Sequence, residues 1–249
     1  MQKIHVLMRK EEIDPTKLCN CAVIVIDSLL ATSTICMLLQ HGAKSVLPVS
    51  SPQHALTKAE TLKEESYILA GEKYGYDLAG FRRPDPLQLI KLGLDDKQVI
   101  LSTTNGTVAL NNCANAHTVY TASILNTKAV AKEITRLHSK RSVLIVCAGN
   151  HGRFSMEDFL TAGSLLQHLS MSPQWEEWEL SDGSQAALTM FEETSPAKKE
   201  RLFLTSETGL FLTEVGYEWT LRYLVEGHQY NIAPILCGEQ LTHPSKASI

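Results

Sequence analysis

The sequence predicts an α/β fold, a three-layer αβα arrangement with a largely parallel or mixed sheet, on three observations. Apolar runs of strand length alternate with stretches of helical spacing from residue 3 to residue 169. The strand runs are almost continuously apolar, as in Ala22-Val23-Ile24-Val25-Ile26, the pattern of strands buried on both faces. The breaks between them are short, so helices must cover both sides of the sheet.

The elements follow in order. Residues 3–8 read as a first strand and 22–27 as a buried second one, and 31–40 have helical spacing that stops at His41-Gly42. A strand is expected at 45–49, an amphipathic helix at 52–65 and a short strand at 67–70, which runs into a polar loop over 71–86. A short helix at 87–92 precedes strands at 99–102 and 118–121, a helix at 127–138, a strand at 143–146 and a helix at 159–169. Past Met171 the rhythm weakens. Residues 173–179 carry Trp175 and Trp178 among acids, 186–193 look helical, and 194–201 form a polar connector. Residues 209–226 are expected to be helical despite Gly216, and 231–236 to form a last strand. On this reading residues 1–170 are an αβα core carrying most site motifs, 171–241 a C-terminal α/β part packed on it, and 242–249 a loose tail.

The chain has 249 residues, 44% hydrophobic and 20% charged, enough to bury a sizeable core. A net charge of −4 gives no global pull toward nucleic acid or an anionic membrane, so neither is expected as a partner and any anion site is local. No apolar run reaches transmembrane length, and Arg9, Lys10, Glu11 and Glu12 are unlike a secretory signal. Cys21, Cys36 and Cys147 fall inside apolar patterns, and Cys19 and Cys21 are too close for a CxxC pair; the expectation is reduced thiols and a cytoplasmic location. The dispersed histidines and the lack of GxGxxG or a P-loop lysine argue against zinc and nucleotide chemistry. A homodimer is the default expectation for an enzyme of this size.

The most informative stretch is 147–158, a Gly-broken turn between a strand and a helix that carries Arg153, Ser155, Glu157 and Asp158. A helix N-terminus there attracts anions, whereas two adjacent acids would recruit a hard cation such as Mg²⁺. The plainer reading is a Ser155 cap with acids favouring the first helical turn. Other strand ends share the chemistry: Asp27 with Thr32, Ser33 and Thr34; Gly71-Glu72; Thr103-Thr104-Asn105-Gly106-Thr107; and Ser123 with Asn126. In a parallel sheet these ends would share one edge, and the acids and hydroxyls would converge. Singly, Thr32 or Ser33 reads as a cap and Asn105-Gly106 as a turn. Asp27 is less easily dismissed, because a carboxylate after four apolar residues needs a partner or water.

Residues 26–34 are similar to a family segment reading aspartate–x–leucine–arginine–alanine–threonine–serine. Gly71-Glu72 with Gly80-Phe81, 103–107, 123–126 and 147–158 follow in matching order. Together these motifs resemble the 2-phosphosulfolactate phosphatases of the ComB type, Mg²⁺-dependent enzymes, from about residue 24 to 162 and more weakly to 235. The resemblance implies a three-layer fold and hydrolysis of a small anionic substrate, the phosphate ester of a sulfonated lactate, a step toward coenzyme M or free sulfolactate. Asp27, Glu72, Glu157 and Asp158 are then candidates for Mg²⁺ ligation, and Asp27, Glu72 and Asp158 for acid–base work, with the division between the two jobs open. Candidates for substrate contact are Thr32, Ser33, Thr104, Asn105, Gly106, Thr107, Ser123, Asn126, Arg153 and Arg82.

The chain departs from the family pattern where positive charge is expected. Leu30 and Val108 stand where the family has arginine, Arg82-Arg83-Pro84-Asp85-Pro86 replaces a longer loop, and Thr208 and Thr220 stand at a histidine and an aspartate position. Loss of two anion-binding arginines would cost about 1.5–3 kcal/mol each. Two outcomes follow: a phosphatase in which Arg82 or Arg83 compensates, or a weakened member that binds an anionic metabolite or partner without turnover.

Overall fold

The second strand shows why this chain makes a buried sheet. Its five residues, Ala22–Ile26, are all buried, with parallel neighbours on both sides and helices on both faces. The structure, a computed structural model, describes residues 2–227 and 229–243. The strands are β1 Gln2–Leu7, β2 Ala22–Ile26, β3 Ser45–Val49, β4 Tyr67–Lys73, β5 Tyr76–Asp77, β6 Gln98–Ser102, β7 Thr118–Ala122, β8 Val143–Cys147, β9 Trp178–Leu180, β10 Ile235–Cys237 and β11 Gln240–Thr242. The helices are α1 Ala31–Gln40, α2 Pro52–Ala59, α3 Pro86–Leu89, α4 Gly106–Asn112, α5 Thr127–His138, α6 Met156–Ser170, α7 Asp182–Glu192, α8 Pro196–Leu204, α9 Glu207–Glu214 and α10 Glu218–Val225.

The strands form one mixed sheet in the order β5-β4-β6-β3-β11-β10-β7-β2-β8-β1-β9. β4, β6 and β3 run parallel to one another, as do β7, β2, β8, β1 and β9. Between the two blocks the junctions β3–β11, β11–β10 and β10–β7 are all antiparallel, so the blocks run in opposite directions. Helices cover both faces, giving the three layers. One core unites Val23, Val25, Val46, Val99, Leu101 and Val119 with Ile35 and Leu38 of α1 and Leu110 of α4. On the other face Ile24, Ile26, Ile145 and Cys147 pack on α5 and α6, and Leu47, Val49 and Ile100 pack with Ala55 and Ala59 of α2.

The strand ends therefore do not share one edge of a single parallel sheet, as the sequence reading expected. β2 and β4 stand six places apart in the strand order. In a flat sheet, at about 4.8 Å per strand, they would lie roughly 29 Å apart. Yet Thr104 bonds Glu72 at the end of β4, while Gly106, two residues on, lies against Asp27 after β2. α1 and α4 each pack on strands of both blocks, and the loop that leads into α4 carries the contacts to both ends.

Past Met171 the structure is more regular than the sequence pattern suggests. The expected connector over 194–201 is helix α8, which starts at Pro196, a residue well suited to a first helical turn, and buries Phe203. The helix expected over 209–226 breaks at Gly216, whose φ of +92° ends α9. The strand expected over 231–236 shortens to β10, since Pro234 has no N–H to give a ladder. Thr242, expected in the tail, pairs with Ile235 in the β10–β11 hairpin; residues 244–249 of that tail lie outside the described residues. The helix expected over 52–65 ends at Ala59, beyond which Leu62 packs from a turn. No helix among the described residues is long and apolar enough to cross a membrane.

Candidate active site

Asp27 follows β2 directly and is held in a turn that α1 builds. Thr32 Oγ1 accepts from the Asp27 N–H (3.1 Å) and donates to the Asp27 carbonyl (2.8 Å). Ser33 Oγ donates to the Ser28 carbonyl at 2.8 Å. Both hydroxyls are fully buried and serve the turn, whose Leu29–Leu30 peptide is cis. The N–H groups of Ala31 and Gly106 favour the ionised form of the Asp27 carboxyl. Gly106 must be glycine, because a Cβ there would sit 2.6 Å from both Asp27 Oδ2 and the Ala31 Cβ.

Glu72, near the end of β4, grips the loop that follows β6. It accepts the Thr104 N–H at 2.6 Å and the Thr104 hydroxyl at 3.0 Å, and also takes the Gly75 N–H. Thr103 and Thr107 close the loop reciprocally: the Thr103 N–H donates to Thr107 Oγ1 (2.9 Å), and the Thr107 N–H to Thr103 Oγ1 (3.1 Å). Of the N–H groups in this loop of candidate substrate contacts, those of Thr104 and Gly106 thus face the protein's own carboxylates.

Asp158 and Glu157 open α6, which Ser155 caps by accepting the Asp158 N–H at 3.2 Å. Asp158 is 2% exposed, with Oδ1 accepting from Ser28 N (2.9 Å) and Oδ2 from Gly149 N (3.1 Å). Glu157, also buried, lines a cavity of ≈ 250 Å³ together with Asn150 and Thr208. Ser123 and Asn126 turn inward after β7. The Asn126 carbonyl oxygen accepts the Ser123 N–H at 2.8 Å, and Asn126 Nδ2 donates to the Thr121 and Ile232 carbonyls.

Asp27 and Glu72 meet at a small cavity of ≈ 80 Å³, which adjoins the Glu157 cavity at Asn150 and Thr208. Leu30, Thr103, Thr104, Asn105 and His151 line it, and Tyr74, Phe211, Leu212 and Tyr217 close it with apolar surface. Burial, then the charges of Glu72 and Glu157, pushes the Asp27 carboxyl up to about 7, against the pull of the Ala31 and Gly106 N–H groups. Burial, then Asp27 and Glu157, holds the Asp158 carboxyl well above the usual carboxylate range. Among the described residues, no three His, Cys, Asp or Glu side chains form a group that could hold a metal ion, so the four acids are not a ready-made cage. Mg²⁺ needs none: one or two carboxylates with water and phosphate oxygens suffice. Mutually repelling acids, one of them buried on the cavity wall, fit that requirement.

The arginines lie elsewhere. Arg82 is exposed and joins the sheet through its backbone, while Arg153 pairs at the surface with Glu207 at 2.9 Å. Arg83 is committed: it donates to the Val215 carbonyl (2.7 Å) and stacks 4.5 Å over the Tyr217 ring. Its Nε lies 2.9 Å from Asp77 Oδ1, an ion pair whose angle makes no hydrogen bond. The cation that reaches the loop after β6 is Lys10, whose Nζ donates to Asn105 Oδ1 at 2.9 Å. Sequence reasoning missed it, since a lysine beside Arg9, Glu11 and Glu12 looks like a solvated charge run. Nothing in the local pattern signals the fold-back that sets its N–H on the Ala148 carbonyl.

Residues 7–239 match the 2-phosphosulpholactate phosphatase family. The chain belongs to this family. Among similar proteins is a probable 2-phosphosulfolactate phosphatase of Clostridium perfringens (strain SM101 / Type A), 36% identical over 224 residues, 89% of this chain and 88% of that one. Those of Thermotoga maritima and Caldanaerobacter subterraneus subsp. tengcongensis, described in the same words, are 35% and 34% identical over 219 and 218 residues. These cover 88% and 86% of this chain and 89% and 87% of the relatives. Within the phosphatase family's frame the departures fall unevenly. Leu30 and Thr208 line the Asp27 cavity, whereas Val108 sits on α4 away from it. Thr220 is buried and donates to Asp85 Oδ1 at 2.8 Å, holding the residue that caps α3.

Proposed function

We propose that this chain is a phosphoric monoester hydrolase that converts 2-phosphosulfolactate and water to sulfolactate and phosphate, with Mg²⁺ held at Asp27. The observation that supports the reading most directly is Asp27 itself. It is the buried acid on the cavity wall, and its own acidic neighbours make its charge costly without a cation. When bound, Mg²⁺ supplies the positive charge that lets a phosphate dianion approach these acids and spreads the charge that develops on the phosphoryl oxygens.

The other residues divide the remaining work. Glu72 fixes the Thr104 loop against the β4–β5 turn and so sets where Asn105 faces. Asp158 joins the turn after β2 to the turn after β8 and keeps Asp27 and Asn150 in register. Tyr74, Phe211 and Tyr217 exclude bulk water, which strengthens every charged contact inside. Leu30 on the cavity wall favours a second reading, an anion-binding member without turnover. Phosphate release from 2-phosphosulfolactate and a panel of small phosphorylated acids, with and without Mg²⁺, separates the two. Mg²⁺-dependent release supports the first reading, and silence across the panel overturns it.

A further inference from the structure

We infer that Lys10 and Asn105 form the anion-recognising pair of this chain, with Lys10 acting through Asn105 on the wall of the cavity where Leu30 brings no charge. The turnover arm of the test rests on the phosphatase reading above; the binding arm does not.

The argument starts from Asn105. It occupies the N-cap position of α4, where asparagine usually bonds its own helix, yet its side chain makes no cap bond. Its oxygen is taken by Lys10 instead, at 2.9 Å. An ammonium only donates, so it can bind only the carbonyl end of the amide. The end left over is Nδ2, a pure donor with no protein acceptor among the described residues, on a residue that lines the cavity beside Asp27. Lys10 thereby fixes which way the Asn105 amide faces and polarises it toward an anion.

Lys10 also brings charge. Its side chain is 11% exposed, and its ion pair among the described residues, at 2.9 Å, is to Glu11, whose side chain is 43% exposed. The arginines cannot take this part: Arg83 is spent on Asp77, Val215 and Tyr217, Arg153 on Glu207, and Arg82 faces solvent. Lys10 is accordingly a positioning residue that acts through Asn105, and Asn105 is the group that touches the anion.

The test uses inorganic phosphate as the binding probe in calorimetry, and 2-phosphosulfolactate for turnover, on the full chain. Lys10→Met and Asn105→Ala should each weaken phosphate binding about tenfold or more, the scale of a charge-assisted hydrogen bond. The double variant should be no weaker than the worse single, because the two residues act as one unit. Lys10→Arg should bind like the wild type, and Leu30→Arg added to Lys10→Met should restore affinity. In turnover, KM should rise by the same factor while kcat stays within about twofold. If Lys10→Met loses its fold, Lys10→Arg and Asn105→Ala carry the comparison. Unchanged phosphate binding in a folded Lys10→Met or Asn105→Ala overturns the pair, as does a wild type that binds no phosphate. A wild type that binds phosphate through Lys10 but hydrolyses no ester sinks the phosphatase reading and leaves the pair standing.

Discussion

Asp158 bonds Ser28 and Gly149 at once, one carboxylate oxygen to each backbone N–H, at 2.9 and 3.1 Å. It therefore joins the end of β2 to the end of β8 beneath the cavity. Asp158→Asn turns one acceptor into an NH₂ group facing a backbone donor. That leaves a buried N–H unsatisfied, at a cost of about 1–3 kcal/mol. Urea denaturation should show a lower midpoint with an unchanged slope, and the variant should still bind Mg²⁺. An unaltered midpoint would mean that the bracing role is mistaken.

Glu72 stands second only to burial in raising the Asp27 carboxyl. Glu72→Gln removes that charge and leaves one acceptor oxygen for the Thr104 loop. In the metal-free protein, an NMR titration of the Asp27 carboxyl should move from near 7 to a lower pH in the variant. A midpoint that stays put would show that the two acids do not sense each other.

How much of this was legible beforehand follows from range. β2, α1, β3, β6, β7, α5, β8 and α6 show in the sequence because each carries an apolar period that local chemistry reveals. The β10–β11 hairpin does not, since two three-residue strands become a sheet centre only when β3 and β7 supply partners. The site divides the same way. Asp27 and Glu72 stand out as acids at strand ends, but their meeting depends on the loop after β6 reaching both, which no local pattern encodes. Thr32, Ser33, Ser123 and Asn126 looked like ligands because hydroxyl and amide side chains serve turns and substrates equally well; here they hold turns. Lys10 was invisible for the converse reason, a contact made 95 residues along the chain.

Gly75 carries a φ of +81° in the turn between β4 and β5, next to Tyr74 at +56°. A Cβ there would meet the Phe211 ring at 2.1 Å. Gly75→Ala must therefore strain the turn and push α9 off the cavity. A loss of roughly 1–3 kcal/mol is expected, with a rise in KM as the wall opens. Chemical denaturation with parallel kinetics checks it; wild-type values in both would show that the hairpin and α9 are not coupled.

His138 lies buried beside Tyr120, with Nε2 3.2 Å from the phenol oxygen, and burial lowers it to about 4 from an ordinary 6.5. The unfolded chain takes up its proton below 6.5, but the folded one waits until about 4. Stability from this group is thus complete above 6.5 and is lost as pH falls toward 4. His138→Gln should flatten the stability profile in that window. Identical profiles for the two proteins would place the acid sensitivity elsewhere.

The sharpest test of the metal assignment works through the opposite sign. Asp27 has its folded-state pKa raised, from 3.8 to about 7, so the folded protein holds this proton where the unfolded chain has released it. In the metal-free protein this group favours folding below 3.8, and that advantage is lost as pH rises to about 7. Mg²⁺ binds the ionised form and should reverse the trend, raising Tm more at pH 8 than at pH 5. Asp27→Asn removes this titrating group, so the decline without metal should shrink to the share that Asp158 leaves, and the rise with Mg²⁺ should vanish along with Mg²⁺ binding by calorimetry. Glu157→Gln should weaken Mg²⁺ less, since its carboxylate faces the neighbouring cavity. If Mg²⁺ stabilises Asp27→Asn as well as it does the wild type, the ion sits elsewhere and Asp27 is a buried acid with a different task.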